Sequence, residues 1–502
     1  WELHEEAEEI VESEIDKVSE SLHITNGASV IIDPETGEIL SMVGSKDFFD
    51  DDIDGQVNVA LRPRQPGSSI KPVTYAAAFE EGFWPGKVFA DVVTEFPSGD
   101  SDDPYRLENY DGSENGLVHL REALGSSLNV VAVKLLARVG VQDMLETAYR
   151  MGIDTLEPSK ENLRRLGLSV TLGGGEVRLL DMSAAYSSFA NGGYRVEPVS
   201  ILRVEDRDGE VLYERKELNR PRVLDEEVAF LINDILSDNQ ARLLTFGSNS
   251  LINIAGRDVA VKTGTTNDLR DNWTVGWSKN SLVGVWVGNN DNSSMRQVAS
   301  GVSGASPIWR RQMLEALTKY GDEPFSPPSG VKEVELDAIS GYPAPDGFLS
   351  YKEWVINGTL PVQEDPIHKM AKVCKGQPDK LATEVQVARG DYETAEYIYV
   401  REEDPLTNED LWQKAIDRWL DSVDDERYHP PTEYCGEGGV HVEIDSPSDD
   451  SRVDGNDVNI KTVVYADKKI EWVDLYIDGN KEWRWEERPY ERVFTLSDGY
   501  HE

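Results

Sequence analysis

Gln65-Pro66-Gly67-Ser68-Ser69-Ile70-Lys71-Pro72 runs on into Val73-Thr74-Tyr75-Ala76-Ala77-Ala78-Phe79 and stops at Gly82, the pattern of a tight turn followed by a helix. Pro66-Gly67 supplies the turn, and Pro72 falls early enough in the helix to be tolerated there. Ser68 therefore sits at or near a helix N-terminus. Residues i and i+3 share a helix face, so the spacing predicts Lys71 beside the Ser68 hydroxyl. A serine is a poor nucleophile until a base takes its proton. A buried lysine can be that base because burial lowers its pKa, and the helix dipole favours negative charge developing at Ser68. Alone, Ser-x-x-Lys says little, since capping preference puts serine at many helix starts.

Two companions change its weight. Ser126-Ser127-Leu128-Asn129 closes the run Leu120-Arg121-Glu122-Ala123-Leu124-Gly125 and offers a hydroxyl and an amide two residues apart. Lys262-Thr263-Gly264-Thr265-Thr266 follows Val259-Ala260-Val261, the end of an apolar strand. There Gly264 is expected to let a substrate backbone lie close against the strand, and Thr265 to supply a backbone N–H. A Ser-His-Asp triad needs a histidine, and only His23 and His119 fall between residues 23 and 325. Lysine is left as the available base.

Outward from these motifs, helical patterns are expected near 68–81, 119–137, 141–151 and 178–191, and strands near 258–263, 273–278 and 282–287. A hairpin is expected over Ala28–Val43, where Ser29–Ile32 and Glu38–Val43 flank the turn residues Asp33-Pro34-Glu35-Thr36-Gly37. Helices mixed with an antiparallel sheet imply an α+β domain. The segments read as an acidic amphipathic connecting helix or linker at 1–22 and a catalytic domain at 23–325. A Pro-, Gly- and acid-rich extension follows at 326–440, then an alternating β module of sandwich texture, stopping short of closure, at 441–502. In the extension, Leu411, Trp412, Ala415, Ile416, Trp419, Leu420 and Val423 make one amphipathic helix with Thr407 as its expected N-cap; such a stripe is read as core packing, not chemistry. Trp472, Trp483, Trp485 and Tyr490 in the β module either fill its core or form a binding surface.

The chain has 502 residues, enough for two to four domains, and 94 acidic against 50 basic residues give a formal net charge of −44. That balance repels nucleic acid and anionic membrane surfaces. No run of 18 apolar residues occurs, so any membrane link is expected through an anchor absent from this chain, which starts at Trp1. Cys374 and Cys435 leave two states open, one disulfide in an oxidising compartment or two buried thiols.

The ordered set SxxK, SxN and KTG resembles that of the class A penicillin-binding proteins, specifically their transpeptidase domain. Ile24-Thr25-Asn26-Gly27-Ala28 with the hairpin after it, Asn109-Tyr110-Asp111-Gly112, Leu172-Gly173-Gly174-Gly175-Glu176-Val177, Phe189-Ala190-Asn191-Gly192-Gly193 and the run from Lys262 to Trp273 are similar to family segments as well. The likeness covers roughly residues 23–320, and more loosely 330–502, where such proteins can carry Ig-like modules. The glycosyltransferase domain that precedes this one in that class is absent, and the acidic helical stretch near 405–425 departs from the family pattern.

The resemblance implies a β-lactamase-like α+β fold, a central antiparallel sheet flanked by helices. It implies an extracytoplasmic D,D-transpeptidase of peptidoglycan synthesis, needing no metal or organic cofactor. Ser68 would attack a D-Ala-D-Ala stem peptide and Lys71 would take its proton. Ser127 and Lys262 would deliver a proton to the leaving amine. Backbone N–H groups of Ser68 and Thr265 would form the oxyanion hole. Asn129, Thr263, Gly264 and Thr265 would bind the peptide, and β-lactams would acylate the same serine as inhibitors. The rival readings are a D,D-carboxypeptidase, a serine β-lactamase, for which no Glu-x-x-Leu-Asn lies between the second and third motifs, and a non-catalytic penicillin sensor.

Overall fold

Two hairpins built from apolar runs pair across some 230 residues of sequence to make the central sheet of the computed structural model, which describes residues 1–97, 104–216, 218–296, 303–435, 439–466 and 468–502. The sheet strands are β1 (Asn26–Ile32), β2 (Ile39–Val43), β3 (Ala260–Thr265), β4 (Asp271–Trp277) and β5 (Leu282–Gly288). All pairs are antiparallel, in the order β2-β1-β5-β4-β3, with Ala28 opposite Trp286 and Trp273 opposite Gly264. The first turn closes as its residues dictate: Asp33 Oδ1 accepts from the N–H groups of Glu35 and Thr36, and Gly37 takes φ +75°.

Because side chains alternate along a strand, the sheet feeds two cores. Val30, Ile32, Trp273, Val275, Trp277 and Trp286 face one, while Ile31, Val283, Val285 and Val287 face the other. The first core is covered by α2 (Lys71–Glu80), α3 (Leu120–Gly125), α4 (Asn129–Val139), α5 (Val141–Met151), α6 (Leu179–Ala190) and α7 (Glu226–Ser237). The second is covered by α1 (Glu2–Val18) and α8 (Ala305–Tyr320). The result is a three-layer α+β domain. The helix expected over 1–22 forms as α1, yet it is built in: Leu3, Ala7, Ile10, Val11 and Ile15 are buried, and Gln312 Nε2 donates to Ala7 O (3.1 Å) and Ser29 Oγ (3.0 Å).

The helix expected over 119–137 is two helices, α3 and α4. Ser127 takes φ +62° between them, and Gly125 lies so close to Ala241 that a Cβ would sit 2.6 Å from its carbonyl oxygen. Gly-Ser-Ser propagates a helix poorly, which lets the chain break there.

The described residues divide into two compact units, residues 1–364 with 401–419, and 365–400 with 420–502. The compositional segments 326–440 and 441–502 do not follow this division. Pro, Gly and acid content marks loops, whereas the units are set by which apolar faces cover each other. In the first unit, α9 (Leu411–Leu420) buries Trp412, Ala415 and Ile416. Thr407 is not its cap: the helix starts at Leu411, and the Thr407 hydroxyl accepts from the Glu409 N–H instead (3.2 Å).

The second unit holds two three-stranded sheets and a hairpin. One sheet comprises Gln377–Leu381, His368–Cys374 and Tyr392–Ile398; a Cys374–Cys435 disulfide with a Cα–Cα distance of 6.2 Å resolves the cysteine question. The other comprises Val440–Ser446, Asp457–Ala466 and Tyr490–Thr495, with the hairpin Val473–Ile477/Asn480–Trp485. Its small core takes Ile460, Val464, Leu475, Ile477, Trp485 and Tyr490. Trp472 and Trp483 stay 48% and 38% exposed, with Arg484 and Arg492 over their rings. Among the described residues no helix is long and apolar enough to cross a membrane.

Candidate active site

The site starts from three glycines that allow three backbones to meet. Gly67, at φ +54°, begins a single 3₁₀ turn, Gly67–Ile70, that leads into α2. A Cβ on Gly67 would lie 2.6–2.8 Å from the Thr265 backbone, one on Gly264 2.2 Å from Pro66 O, and one on Gly173 (φ +89°) 2.2 Å from Gly67 N. Backbone alone fits at these distances. Gly264 is thus needed for the turn that carries Ser68, a different reason from the close substrate approach expected of it. Trp273 Nε1 donates to Gln65 O (2.8 Å) and Ser69 Oγ to Pro66 O (2.6 Å), fixing the turn from both sides. Ser68 therefore rests against the end of β3, the sheet's edge strand.

The other motif residues converge on Ser127. Lys262 Nζ donates to Ser127 Oγ (2.7 Å) and Thr263 O (2.9 Å). Lys71 Nζ donates to Ser127 O (2.6 Å), Leu128 O (3.1 Å) and Asn129 Oδ1 (2.8 Å). The left-handed backbone of Ser127, which costs a non-glycine residue about 1 kcal/mol, lets its hydroxyl face one lysine while its carbonyl faces the other. No Lys71–Ser68 hydrogen bond is among these contacts: Lys71 Nζ is held by the 127–129 turn, and among the described residues the half-buried Ser68 hydroxyl makes no hydrogen bond. Thr265 lies beside Gly67, and its hydroxyl accepts from Asn272 Nδ2 (2.9 Å); Thr263 is buried in β3.

Both lysines have pKa values pulled down. Burial is the main cause at Lys71, followed by the positive charge of Lys262, with Asp91 opposing them. Lys262 is pushed down to about 7, chiefly by burial and then by Arg242. Arg242 is itself buried and donates to Ile252 O (3.1 Å) and Leu236 O. A second support holds Asn129. Buried Asp91 accepts at Oδ2 from Asn109 Nδ2 (2.7 Å) and Asn115 Nδ2 (2.6 Å), and Asn109 Oδ1 accepts from the Asn129 N–H (2.8 Å). Sequence reasoning missed Asp91, Arg242 and the packing role of Gly173. A lone acid within Val88-Phe89-Ala90-Asp91-Val92-Val93 was a readable signal, but nothing local marks Arg242.

A cleft of about 520 Å³ is lined by Gln65, Gly173 and Thr266 next to the nucleophile turn and walled by Phe96, Val133, Leu168 and Leu172. A serine at a helix start, two lysines whose ammonium groups burial makes more acidic than usual, and an edge strand suit acyl transfer through a serine ester.

Comparison with known proteins points the same way. Residues 27–313 match the family profile of the penicillin binding protein transpeptidase domain. Penicillin-binding protein 2D of Bacillus subtilis is 33% identical over 355 residues, covering 69% of this chain and 48% of that protein. Penicillin-binding protein 1A of Rickettsia typhi is 32% identical over 340 residues, covering 64% and 42%. The chain thus spans less than half the length of these two relatives. Among solved structures, penicillin-binding protein 1A from Haemophilus influenzae superposes with a TM-score of 0.60 at 27% identity, over 67% of this chain and 54% of that one. PonA1 from Mycobacterium tuberculosis, solved in complex with penicillin V, shares the fold at a TM-score of 0.54 and 24% identity, over 68% and 89%.

Proposed function

The chain belongs to the penicillin-binding-protein transpeptidase family, and from that premise we propose that it is a peptidoglycan D,D-transpeptidase acting through a Ser68 acyl-enzyme. The observation that carries the proposal is the Lys262–Ser127–Lys71 chain set beside a serine on a glycine-locked turn. An ammonium can fill all three of Lys71's acceptors, but a neutral amine has only two N–H donors. Deprotonation therefore releases one of these acceptors, and a turn about the Cε–Nζ bond as substrate enters would bring the lone pair to the Ser68 proton.

Ser68 Oγ attacks the carbonyl of the penultimate D-Ala of a stem peptide as Lys71 accepts its proton. Backbone N–H groups of Ser68 and Thr265 receive the developing oxyanion, each donor worth roughly 3–4 kcal/mol. The C–N bond breaks, and Ser127, hydrogen-bonded to Lys262, passes a proton to the departing D-Ala amine. Asn129 orients the donor peptide, while Thr263 and Thr265 hold its terminal carboxylate along the edge of β3. An amine from a neighbouring stem peptide then attacks the ester and gives its proton through Ser127 to Lys262, which had replaced the proton Ser127 lost, while Lys71 returns its proton to the departing Ser68 Oγ. A β-lactam enters by the same attack, its ring nitrogen in place of the D-Ala amine.

The enzyme would work outside the cytoplasm in the cell envelope, a setting that suits the Cys374–Cys435 disulfide. The β-rich residues 441–502 are assigned no catalytic role. The test is incubation with a D-Ala-D-Ala stem pentapeptide plus an amine acceptor, with products read by mass spectrometry. Cross-linked dimer is expected. Tetrapeptide without dimer would mark a carboxypeptidase, steady β-lactam hydrolysis a β-lactamase, and acylation by penicillin with no peptide turnover a sensor.

A further inference from the structure

Residues 401–419 lie outside the stretch that matches the family profile, yet they pack within the same compact unit as the site. Their contacts form a strap. At one end Glu402 Oε1 accepts from the Ala90 N–H (2.6 Å) and Oε2 from Lys134 Nζ (2.8 Å), and Lys134, itself fully buried, also donates to Ala90 O (2.8 Å). At the other end Arg418 donates to Val93 O (2.5 Å), and the Trp419 ring fills the space over Gly116, where a Cβ would come within 2.5 Å of it. Between the two anchors Trp412 is fully buried among Phe96, Leu107, Val130 and Val133, its ring centroid 6.1 Å from that of Phe96 in an edge-to-face arrangement. Lys134 and Arg138 place their cations 5.4 and 5.5 Å from the Trp412 ring centroid.

Phe96 and Val133, with Leu168 and Leu172 packed against the same cluster, are also the wall of the 520 Å³ cleft beside the nucleophile turn. A single layer of side chains therefore separates this cleft from Trp412. Phe96 stands on a short two-stranded ribbon, Thr94–Phe96 with Tyr105–Leu107, too small to hold its own position. Val133 stands on α4, the helix that starts with Asn129. We propose that residues 401–419 complete the substrate cleft of the transpeptidase unit, and that Trp412 is a positioning residue for the apolar wall that receives the acyl side chain of a β-lactam and the matching part of the donor peptide. This rests on the acyl-enzyme reading above. The wall is apolar, so the group it selects is apolar or aromatic. Its effect falls on which substrate is acylated, while the reacting atoms at Ser68, Lys71 and Lys262 are left untouched.

The test uses the full chain and two probes with the same reactive ring. Benzylpenicillin carries an aromatic acyl side chain, and 6-aminopenicillanic acid carries none. Second-order acylation constants are measured for the native chain and for Trp412→Ala, Trp412→Phe and Glu402→Gln. Trp412→Ala is expected to lower the ratio of the benzylpenicillin constant to the 6-aminopenicillanic acid constant by about tenfold, the range available to a reshaped apolar pocket. Trp412→Phe should restore the ratio to within about threefold of native, because it refills most of the space. Should Trp412→Ala not fold, Glu402→Gln keeps the volume, loosens one anchor, and is expected to lower the same ratio by about threefold. An equal fall in both constants, or a ratio unmoved in every folded variant, overturns the proposal while leaving the transpeptidase reading intact. A native chain acylated by neither compound overturns both.

Discussion

Replacing Lys262 by Met should make the protein more stable at neutral pH and less active, with a stability difference that changes sign with pH. The methionine keeps most of the volume and removes the charge. Lys262 has a folded-state pKa of about 7 against an ordinary value of 10.5. Below pH 7 both folded and unfolded chains hold this proton, so the destabilisation is present in full and does not vary with pH. Between 7 and 10.5 the unfolded chain holds a proton that the folded chain has released, so native stability rises with pH. Above 10.5 neither holds it. At pH 7 the folded group is half protonated, and the fall from 10.5 to about 7 corresponds to about 4 kcal/mol of native destabilisation. Methionine relieves this but loses the bonds to Ser127 Oγ and Thr263 O, at about 1 kcal/mol each. The net is a gain of about 2 kcal/mol at pH 7, or roughly 3 °C in Tm. Relief of Lys71, which Lys262 also holds down, adds in the same direction. By pH 10 the cost of burying Lys262 has fallen to about 1 kcal/mol and the variant is the less stable protein, the two curves crossing at about pH 9. Denaturant unfolding of both proteins from pH 6 to 10 measures this, and penicillin acylation by the variant should fall by about a hundredfold or more. A stability difference that stays flat across that range, or a variant less stable at pH 7, would refute the reasoning.

Two further outcomes follow from the packing. Gly264→Ala forces a methyl group against Pro66 O and Ser69 N at 2.2 and 2.6 Å; it should cost about 2–3 kcal/mol and slow acylation at least tenfold, as read by thermal melting and labelling. Replacing Cys374 and Cys435 by Ser opens a loop with a sequence separation of 61, which should remove about 4 kcal/mol from the second unit. Scanning calorimetry should show that unit melting earlier while Ser68 labelling persists, and loss of labelling would contradict this expectation.

Much of the domain was legible because its information is local. Short apolar runs such as Val30-Ile31-Ile32 and Leu282-Val283 give strands, and Pro66-Gly67 before Ser68 gives the turn. What stayed hidden depends on partners remote in sequence. Ser-x-x-Lys spacing speaks only to the pair Ser68 and Lys71; it does not announce the three acceptors in the 127–129 turn that hold the lysine, nor the left-handed serine within that turn. Arg242 acts on Lys262 from a loop with no motif of its own. The stripe Trp412, Ala415 and Ile416 is plain in the sequence, yet periodicity cannot say which surface it covers, and an acidic, Pro-rich neighbourhood assigns it to an extension. Gly264 was visible as a close-approach glycine, but the chain that approaches is the protein's own.

The measurement closest to the central claim is the site of covalent modification. The chain is treated with a fluorescent penicillin, digested, and the labelled peptide sequenced by mass spectrometry, in parallel with Ser68→Ala. The account predicts one adduct, on the peptide that contains Ser68, and no label in the variant. An adduct on any other residue, persisting in Ser68→Ala, would contradict it.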